Sequence, residues 1–168
     1  MIDRIERITN ETRSLVNQFL IDNWFSTDMS VRGEIIDGTK IDGFLLQENN
    51  KIIGLITYKC FGDVCDIISL DSKKENMGIG TMLVKEVEKM AINNNCKKLR
   101  LITTNDNMRA LQFYQKRGFY LTKLYPNATE DVRKLKPDVP LLGDNDIPLR
   151  DEIELEKYLW KGIGNKNM

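Results

Sequence analysis

The spacing of apolar residues along the chain predicts a series of strands separated by three helices. Segments that are apolar and rich in β-branched residues, bounded by turn-forming residues, are typical of strands. Such segments are Ile2–Ile8, Phe44–Glu48, Lys51–Phe61, Val64–Leu70, Lys97–Thr104, Phe119–Tyr125 and Glu152–Trp160. In the last segment, the alternation of Ile153 and Leu155 with glutamates favours a strand and leaves a helix open.

Helical spacing appears in three places. The first helix follows a cap at Asn10 or Thr12 and runs to Trp24, and the second follows Gly78 and ends near Asn93. The third runs from a cap at Asp106 or Asn107 to Arg117, with Gly118 suited to a left-handed end. The order of elements predicts a mixed α/β sheet, mainly antiparallel at first, with one parallel crossover through the second helix.

Two segments have little periodicity. Residues 25–43 are polar and glycine-containing, which predicts a loop with at most short regular structure. Residues 126–150 hold all four prolines and predict a long loop with one short helix near Thr129–Leu135. We therefore expect a single domain over residues 1–168 with a proline-rich insertion at about 125–150. This insertion is either a lid over a cleft or a passive surface loop.

Charge and composition exclude several function classes. The 168 residues include 25 basic and 25 acidic side chains, so a nucleic-acid partner, which calls for a basic face, is not expected. No apolar run is long enough to span a bilayer, and the N-terminal residues lack the apolar core of an export signal. We expect a cytoplasmic protein without a membrane partner.

The available side chains also limit the chemistry. The chain has no histidine, which excludes Ser-His-Asp and Cys-His catalysis and makes a metal site improbable. Cys60, Cys65 and Cys96 form no Cys-x-x-Cys pair. Proton transfer must therefore use Asp, Glu, Tyr, Lys, Cys or water.

The segment Glu75–Thr81, ENMGIGT, places two glycines where a strand gives way to a helix. The first amides of a helix lack internal partners and attract anions, and glycine lets a bulky phosphate approach the backbone. Alternatively, the glycines only permit close packing of helix against strand. The segment lacks the Gly-Lys-Ser/Thr of a P-loop and the third glycine of the Rossmann motif.

The interpretation of the glycine-containing segment depends on a second motif. The pattern Asn107-x-x-Ala110-x-x-Phe113-Tyr114-x-x-x-Gly118-Phe119 follows the next strand. Together the two motifs resemble those of the GNAT superfamily of acyl-CoA-dependent N-acetyltransferases, most closely over residues 52–124. The resemblance implies a mixed, mostly antiparallel central sheet of about six to seven strands. Helices cover both faces, and the fourth and fifth strands are splayed apart.

The resemblance also implies cofactor contacts. An amide near Leu70 would polarise the thioester carbonyl of acetyl-CoA, and Asn107 would hydrogen-bond the cofactor, although a helix cap explains Asn107 equally. The pyrophosphate would bind to the turn formed by Asn76, Met77, Gly78, Ile79, Gly80 and Thr81. Glu75 stands where the family usually has Gln or Arg, and Lys73 or Lys74 can offset its charge.

For the chemistry, the resemblance implies that Tyr114 is the general acid that protonates the leaving thiolate; its alternative role is that of a core aromatic. Asp66 is the candidate base that accepts a proton from the attacking amine. Glu34, Glu48, Asp63 and a water chain are alternatives to it, and Asp66 is otherwise a solvated or ion-paired residue of its strand.

The resemblance therefore implies an N-acetyltransferase that moves an acetyl group from acetyl-CoA to a primary amine of a small molecule or peptide. It needs no metal and acts as a monomer or homodimer. The alternatives are a non-catalytic acyl-CoA-binding sensor or scaffold and a nucleotide-binding regulatory domain. By resemblance, the acceptor is set by about residues 22–43 and 125–150, whose mixed charges favour no acceptor class.

Overall fold

The structure is a computed structural model that describes residues 4–160. In chain order the elements are β1 (Glu6–Arg7), α1 (Arg13–Trp24), β2 (Asp28–Val31), β3 (Glu34–Asp37), β4 (Asp42–Glu48), β5 (Lys51–Phe61), β6 (Val64–Ser72), α2 (Ile79–Asn93), β7 (Lys98–Thr104), α3 (Met108–Gln115), β8 (Tyr120–Tyr125), α4 (Ala128–Leu135) and β9 (Glu152–Tyr158).

Seven of the strands form one sheet in the order β1-β4-β5-β6-β7-β9-β8, and β2 and β3 form a separate two-stranded sheet. The pairs β1–β4, β4–β5, β5–β6 and β8–β9 are antiparallel. The predicted mixed, mostly antiparallel α/β fold is therefore confirmed.

The described residues fall into two compact units. The first comprises residues 4–29, 36–99 and 158–160, and the second comprises residues 30–35 and 100–157. No helix among residues 4–160 is long and apolar enough to cross a membrane.

The core of the first unit forms between α1 and the β4–β5 hairpin. Val16, Phe19 and Leu20 of α1 are buried in one cluster with Leu45 and Leu55. The hairpin turns at Asn49 and Asn50, which have φ angles of 51° and 60°. Asparagine tolerates this left-handed conformation, so the predicted asparagine turn is confirmed.

Helix α2 lies against β5 at a glycine. A Cβ atom on Gly54 would lie 2.5 Å from Cγ2 of Ile79 and 3.0 Å from Cδ1 of Leu83. These two side chains belong to the buried stripe of α2, together with Val84, Val87, Met90 and Ala91. The absence of a side chain at Gly54 therefore lets the first turns of α2 contact the strand backbone directly.

In the second unit, α3 is shorter than predicted. It ends at Gln115 rather than Arg117, because the next residues tighten into a turn in which the Gly118 amide donates to the Gln115 carbonyl at 3.1 Å. Gly118 has a φ of 90°, as expected for a left-handed end. β9 is a strand, so the helical alternative for this segment is wrong.

Two segments differ in regularity from their prediction: residues 25–43 contain a hairpin, and the N-terminal strand is shorter than expected. Residues 28–37 form the β2–β3 hairpin, with Arg32 and Gly33 at φ angles of 51° and 76° in its turn. At the N-terminus, β1 covers only Glu6–Arg7 of the predicted Ile2–Ile8 strand, whose first residues lie outside the described part.

The proline-rich segment is folded back on itself. Its predicted short helix is confirmed as α4. Arg133 of α4 donates to the carbonyls of Pro140 at 2.8 Å and Leu149 at 2.6 Å. These two hydrogen bonds connect the helix to the middle and to the end of the proline-rich segment. Leu142 and Pro148 form an isolated antiparallel bridge.

Two residues after β7 anchor this segment. The Oδ1 atom of Asn105 accepts hydrogen bonds from the amides of Arg150 and Asp151 at 3.1 and 3.0 Å. The Oδ2 atom of Asp106 accepts from the Asp144 amide at 2.9 Å. A Cβ atom on Gly143 would lie 2.0 Å from that Oδ2 atom, so glycine is required for the contact.

The contact at Gly54 leads to a stability prediction. Replacing Gly54 by Ala should lower the free energy of unfolding by about 1–3 kcal/mol, because the added methyl group overpacks the α2–β5 contact. Chemical denaturation measures the change. Lys51→Ala, at an exposed site on the same strand, is the control and should change stability by no more than about 0.5 kcal/mol. Equal stabilities for Gly54→Ala and wild type would mean that α2 has room to move away.

The Gly143 contact can be tested by a double-mutant cycle. Gly143→Ala should destabilise the protein because its methyl group displaces the Asp106 carboxylate, whereas the φ of −98° at Gly143 suits any residue. In an Asp106→Ala background the same substitution should be nearly neutral, giving a coupling energy of about 0.5–3 kcal/mol. Additive effects in denaturant unfolding would show that the two residues do not depend on each other.

Candidate functional site

The turn before α2 needs glycine for its backbone conformation. Gly78 has a φ of 70° and Asn76 a φ of 59°, both in the left-handed region. A Cβ atom on Gly78 would meet nothing within 4 Å. Close packing therefore does not explain Gly78, in contrast to Gly54, where a Cβ atom would overlap with side chains of α2.

The first turn of α2 presents free backbone donors. The amide of Met82 donates to the Gly78 carbonyl at 3.0 Å, and the amides of Ile79 and Gly80 precede this helical bond. Gly78 provides no side-chain cap, and the first turn contains no acidic residue. These amides and the positive end of the helix dipole can bind an anion without competition from a carboxylate.

Contacts within the first unit hold the segment that leads into this turn. The Lys73 amide donates to the Ile53 carbonyl at 2.8 Å, which extends the strand contact beyond β6. The Lys74 ammonium pairs with Glu48, and the Lys73 ammonium bonds to Asn23. Both lysines proposed to offset Glu75 are thus engaged elsewhere.

Ion pairing also affects two of the alternative bases. Lys74 holds the pKa of the Glu48 carboxyl below its usual value, mainly through their hydrogen bond. Asp63 is exposed and lies 3.2 Å from the Lys97 ammonium. A carboxylate with a lowered pKa is a weak proton acceptor, so Glu48 is a poor candidate for the base.

A contact between α1 and the end of β6 was not foreseen from the sequence. The indole Nε1 of Trp24 donates to Oδ2 of Asp71 at 3.0 Å. Burial raises the pKa of Asp71, and the bond from Trp24 opposes this effect. The two residues are far apart in the chain and belong to no local motif, so sequence alone offers no signal for their pairing.

The two predicted residues of β6 lie on either side of a β-bulge. Thr57 pairs with Ser69 and Tyr58 pairs with Ile67, so Ile68 is the additional residue. Asp66 precedes the bulge and Leu70 follows it, at most about 13 Å apart along the strand. Asp66 is only 3% exposed, so it is not a solvated strand residue. Its role as base stays a prediction.

Asn107 lies at the start of α3 in the second unit. Its Oδ1 atom accepts a hydrogen bond from the Ala110 amide at 3.1 Å, which is the geometry of a helix N-cap. The cap predicted at this position is therefore present. The cap uses only the side-chain Oδ1 atom of Asn107 and does not require its Nδ2 group.

Tyr114 is packed among aromatic residues of the same unit. It is 7% exposed, and its ring makes edge contacts with Phe113 at 5.1 Å and Phe119 at 5.2 Å between centroids. These contacts are those of a core aromatic, and they fix the plane of the ring. The role of the hydroxyl group as a general acid stays a prediction.

The cysteines do not form a nucleophilic site. Cys60, Cys65 and Cys96 are free thiols, and Sγ of Cys96 lies 3.9 Å from Sγ of Cys60. Burial raises the pKa of Cys96 to about 11 and that of Cys65 further, so both are thiols at neutral pH. Residues 4–160 contain no cluster of three Cys, Asp or Glu side chains suited to a metal ion.

Buried acids in the second unit were also missed. Glu152, Glu154 and Glu156 of β9 are all at most 9% exposed. Their alternation with Ile153 and Leu155 is visible in the sequence, but it normally marks a solvated strand face. The Arg32 guanidinium, from the β2–β3 turn, lies 3.1 Å from Glu154.

One family model and two curated proteins are similar to this chain in sequence. Residues 9–119 match the model of the acetyltransferase (GNAT) family. The uncharacterized protein YxbD of Bacillus subtilis (strain 168) is 49% identical over 148 residues, covering 88% of this chain and 93% of its own. The uncharacterized protein YdhI of the same strain is 43% identical over 148 residues, covering 88% and 92%.

Solved structures of acetyltransferases are also similar to this chain. A GNAT family acetyltransferase from Elizabethkingia anophelis with acetyl-CoA bound has a TM-score of 0.67 and 28% identity, covering 94% of this chain and 98% of that one. The IAA acetyltransferase from Bacillus cereus ATCC 14579 has a TM-score of 0.70 over 95% of this chain and 100% of its own, and at 21% identity it supports the fold alone. Because the family match spans most of the chain and the relatives are similar over nearly their full length, this protein belongs to the acetyltransferase (GNAT) family.

Proposed function

We propose that the protein transfers the acetyl group of acetyl-CoA to a primary amine by direct attack of the amine on the thioester. The observation that carries this proposal is the start of α2, where backbone amides precede the first helical bond and Gly78 faces open space. A pyrophosphate group fits such a site because both the free amides and the helix dipole favour an anion. The similar protein from Elizabethkingia anophelis has acetyl-CoA bound.

In this proposal the turn binds the cofactor mainly through its backbone. The residues from Asn76 to Thr81 surround the pyrophosphate, and the amides of Ile79 and Gly80 donate to its oxygens. Glu75 is exposed, where solvent and salt weaken its repulsion of the phosphates. The Nδ2 group of Asn107 provides a further donor for the cofactor while Oδ1 caps α3.

The reaction needs two proton transfers. The amine attacks in its neutral form, and Asp66 or a water takes one proton from its nitrogen as the new C–N bond forms. The Leu70 amide donates to the carbonyl oxygen, where negative charge develops. As the C–S bond breaks, the Tyr114 hydroxyl gives its proton to the departing thiolate.

The cofactor site can be tested by thermal stability. Acetyl-CoA at one hundred times its dissociation constant should stabilise the wild-type protein by about 2.7 kcal/mol. Gly80→Asp adds a side chain and a negative charge at the phosphate site, so it should lose this stabilisation. Gly62→Asp is the matched control: Gly62 has a φ of 57° with nothing within 4 Å of its Cβ position, and it lies in another turn. A folded Gly80→Asp protein that still responds to acetyl-CoA would locate the phosphate site elsewhere.

The general acid can be tested by removing one oxygen atom. Tyr114→Phe keeps the aromatic packing and removes the proton donor, so turnover should fall by about 10²–10⁴-fold with the acetyl-CoA melting shift preserved. Tyr120→Phe, at an exposed tyrosine, should have the wild-type rate. Wild-type turnover in Tyr114→Phe would leave Tyr114 with a packing role, and a lost melting shift would make it a cofactor contact.

An acceptor screen decides whether the protein is an enzyme. Release of free CoA thiol is followed with small amines, amino acids, antibiotics and peptide N-termini, each with and without acetyl-CoA. An acceptor-dependent rate is the expected result. Acetyl-CoA binding without transfer to any acceptor would instead support the non-catalytic acyl-CoA-binding function.

A further inference from the structure

The three cysteines of the chain lie close together in the first unit. Cys60 of β5 is the register partner of Cys65 of β6, so both side chains are on the same face of the sheet. Cys96 follows α2, and its Sγ atom lies 3.9 Å from Sγ of Cys60. All three are free thiols. The contact between Cys60 and Cys96 joins residues that are 36 positions apart in the chain.

The end of α2 fixes the backbone of Cys96. The Cys96 amide donates to the Ala91 carbonyl at 2.9 Å, and the Asn95 amide donates to the Ile92 carbonyl at 3.1 Å. Asn95 has a φ of 61°, in the left-handed region. This pair of hydrogen bonds around a left-handed residue is a Schellman motif, which closes the helix. Cys96 therefore has a defined position at the C-terminal end of α2.

The residue after Cys96 is bonded to the turn between β5 and β6. The Lys97 amide donates to the Asp63 carbonyl at 2.6 Å, and the Lys97 ammonium lies 3.2 Å from the Asp63 carboxylate. Cys60 lies in β5, three residues before Asp63. Hydrogen bonds therefore hold the backbone on both sides of the contact between the two sulfur atoms, and the contact does not depend on a long loop.

The three thiols differ in their access to solvent. Cys60 is exposed, whereas Cys96 is 6% exposed and Cys65 is fully buried. A small oxidant in solution therefore reaches Cys60 first. Burial raises the pKa of Cys96 to about 11, so Cys96 keeps its proton at neutral pH and is a weak donor to the Cys60 sulfur. An exposed thiol beside a covered one is the arrangement of an oxidant-sensitive cysteine with its resolving cysteine.

We propose that Cys60 is a site of oxidation by hydroperoxides and that Cys96 resolves the product into a reversible disulfide. The Cys60 thiolate attacks one oxygen of hydrogen peroxide, the O–O bond breaks, and the hydroxide that leaves takes up the proton lost by Cys60 and becomes water. Cys60 is then a sulfenic acid. In this reaction Cys60 attacks the oxidant and takes no part in acetyl transfer.

The second step forms the disulfide. The Cys96 sulfur attacks the Cys60 sulfur, the S–O bond breaks, and the hydroxyl group leaves as water with the Cys96 proton. Two sulfurs have lost one electron each, and one peroxide has become two waters. An S–S bond is about 2.05 Å long, so the sulfurs must approach each other by about 2 Å. Cys60 is exposed and has space on its solvent side for this rotation.

Two observations favour Cys96 over Cys65 as the partner. Burial raises the pKa of Cys65 even further than that of Cys96, so its sulfur is the weaker nucleophile. A bond from Cys60 to Cys96 also encloses residues 61–95, whereas a bond to Cys65 encloses only residues 61–64. Closing the longer loop restricts the unfolded chain more and stabilises the folded protein more.

The bond would fix α2 at the end opposite to the proposed anion site. The enclosed residues 61–95 include β6, the turn before α2 and the whole of α2. Because the bond forms where the two segments are already in contact, it stabilises this part of the first unit and leaves the free amides at the start of α2 in place. This inference does not rest on the proposed acetyl transfer.

The first measurement locates the bond. Dilute reduced protein is treated with a small excess of hydrogen peroxide, alkylated and digested with trypsin without reductant. Cys60 and Cys65 lie in the peptide 60–73 and Cys96 lies in the peptide 90–97, so the proposed bond joins two peptides. Mass spectrometry should find this pair in wild type and in Cys65→Ala, and not in Cys60→Ser. A bond within the peptide 60–73, or no bond at all, would overturn the proposal.

The second measurement tests the order of the two steps. Dimedone reacts with sulfenic acids and traps them. In Cys96→Ala the resolving thiol is absent, so dimedone should label Cys60 strongly after peroxide treatment, and wild type should lose this label as the disulfide forms. Cys65→Ala is the matched control and should behave as wild type. Equal labelling of Cys60 in wild type and Cys96→Ala would show that Cys96 does not resolve the sulfenic acid.

The third measurement is thermal stability. Oxidation should raise the melting temperature of wild type by about 5–15 °C, and dithiothreitol should reverse the shift. Cys60→Ser should show no shift with peroxide. Acetyl-CoA should stabilise the oxidised protein as it stabilises the reduced one. A lower melting temperature after oxidation, or an acetyl-CoA response that only the reduced protein has, would mean that the bond distorts α2 and that the proposed fit is wrong.

Discussion

The position of the free amides of α2 depends on the contact between this helix and the backbone of β5 at Gly54. Ile79, the first residue of α2, and Leu83 lie where a side chain at Gly54 would be. Since Ile79 also supplies one of the free amides, the packing of its side chain and the direction of its N–H group are linked. A shift of the helix would move the proposed anion site with it.

A site made of backbone donors places few demands on the neighbouring side chains. Gly78 is needed for its positive φ, and the amides of the next residues donate whatever their side chains are. This explains in physical terms how Glu75 can stand where the family usually has Gln or Arg. The Glu75 side chain is exposed.

Local patterns predicted most elements of the fold. The apolar stripe of α2, the asparagine turn between β4 and β5 and the cap at Asn107 each depend on residues a few positions apart. Such signals are contained in any short window of sequence. These local signals were weak in the segment that forms the β2–β3 hairpin. For this segment the sequence predicted only a loop with at most short regular structure.

Contacts between distant residues could not be predicted in this way. Trp24 with Asp71 and Arg32 with Glu154 pair across 47 and 122 positions of the chain. The alternation in β9 identified a strand, but periodicity reports only that two faces differ. It does not report which face is covered, and the acidic face of β9 turned out to be buried.

The two motif residues of the second unit show why a structural role and a chemical role are compatible. The ring of Tyr114 is held between Phe113 and Phe119, so its hydroxyl group has little freedom to move. A proton donor whose oxygen is already held in place loses little entropy when the reaction needs it. In Asn107 one atom caps α3 and so holds the side chain in one rotamer, which fixes the direction of the other. Packing and capping therefore prepare these groups for the chemistry proposed for them rather than argue against it.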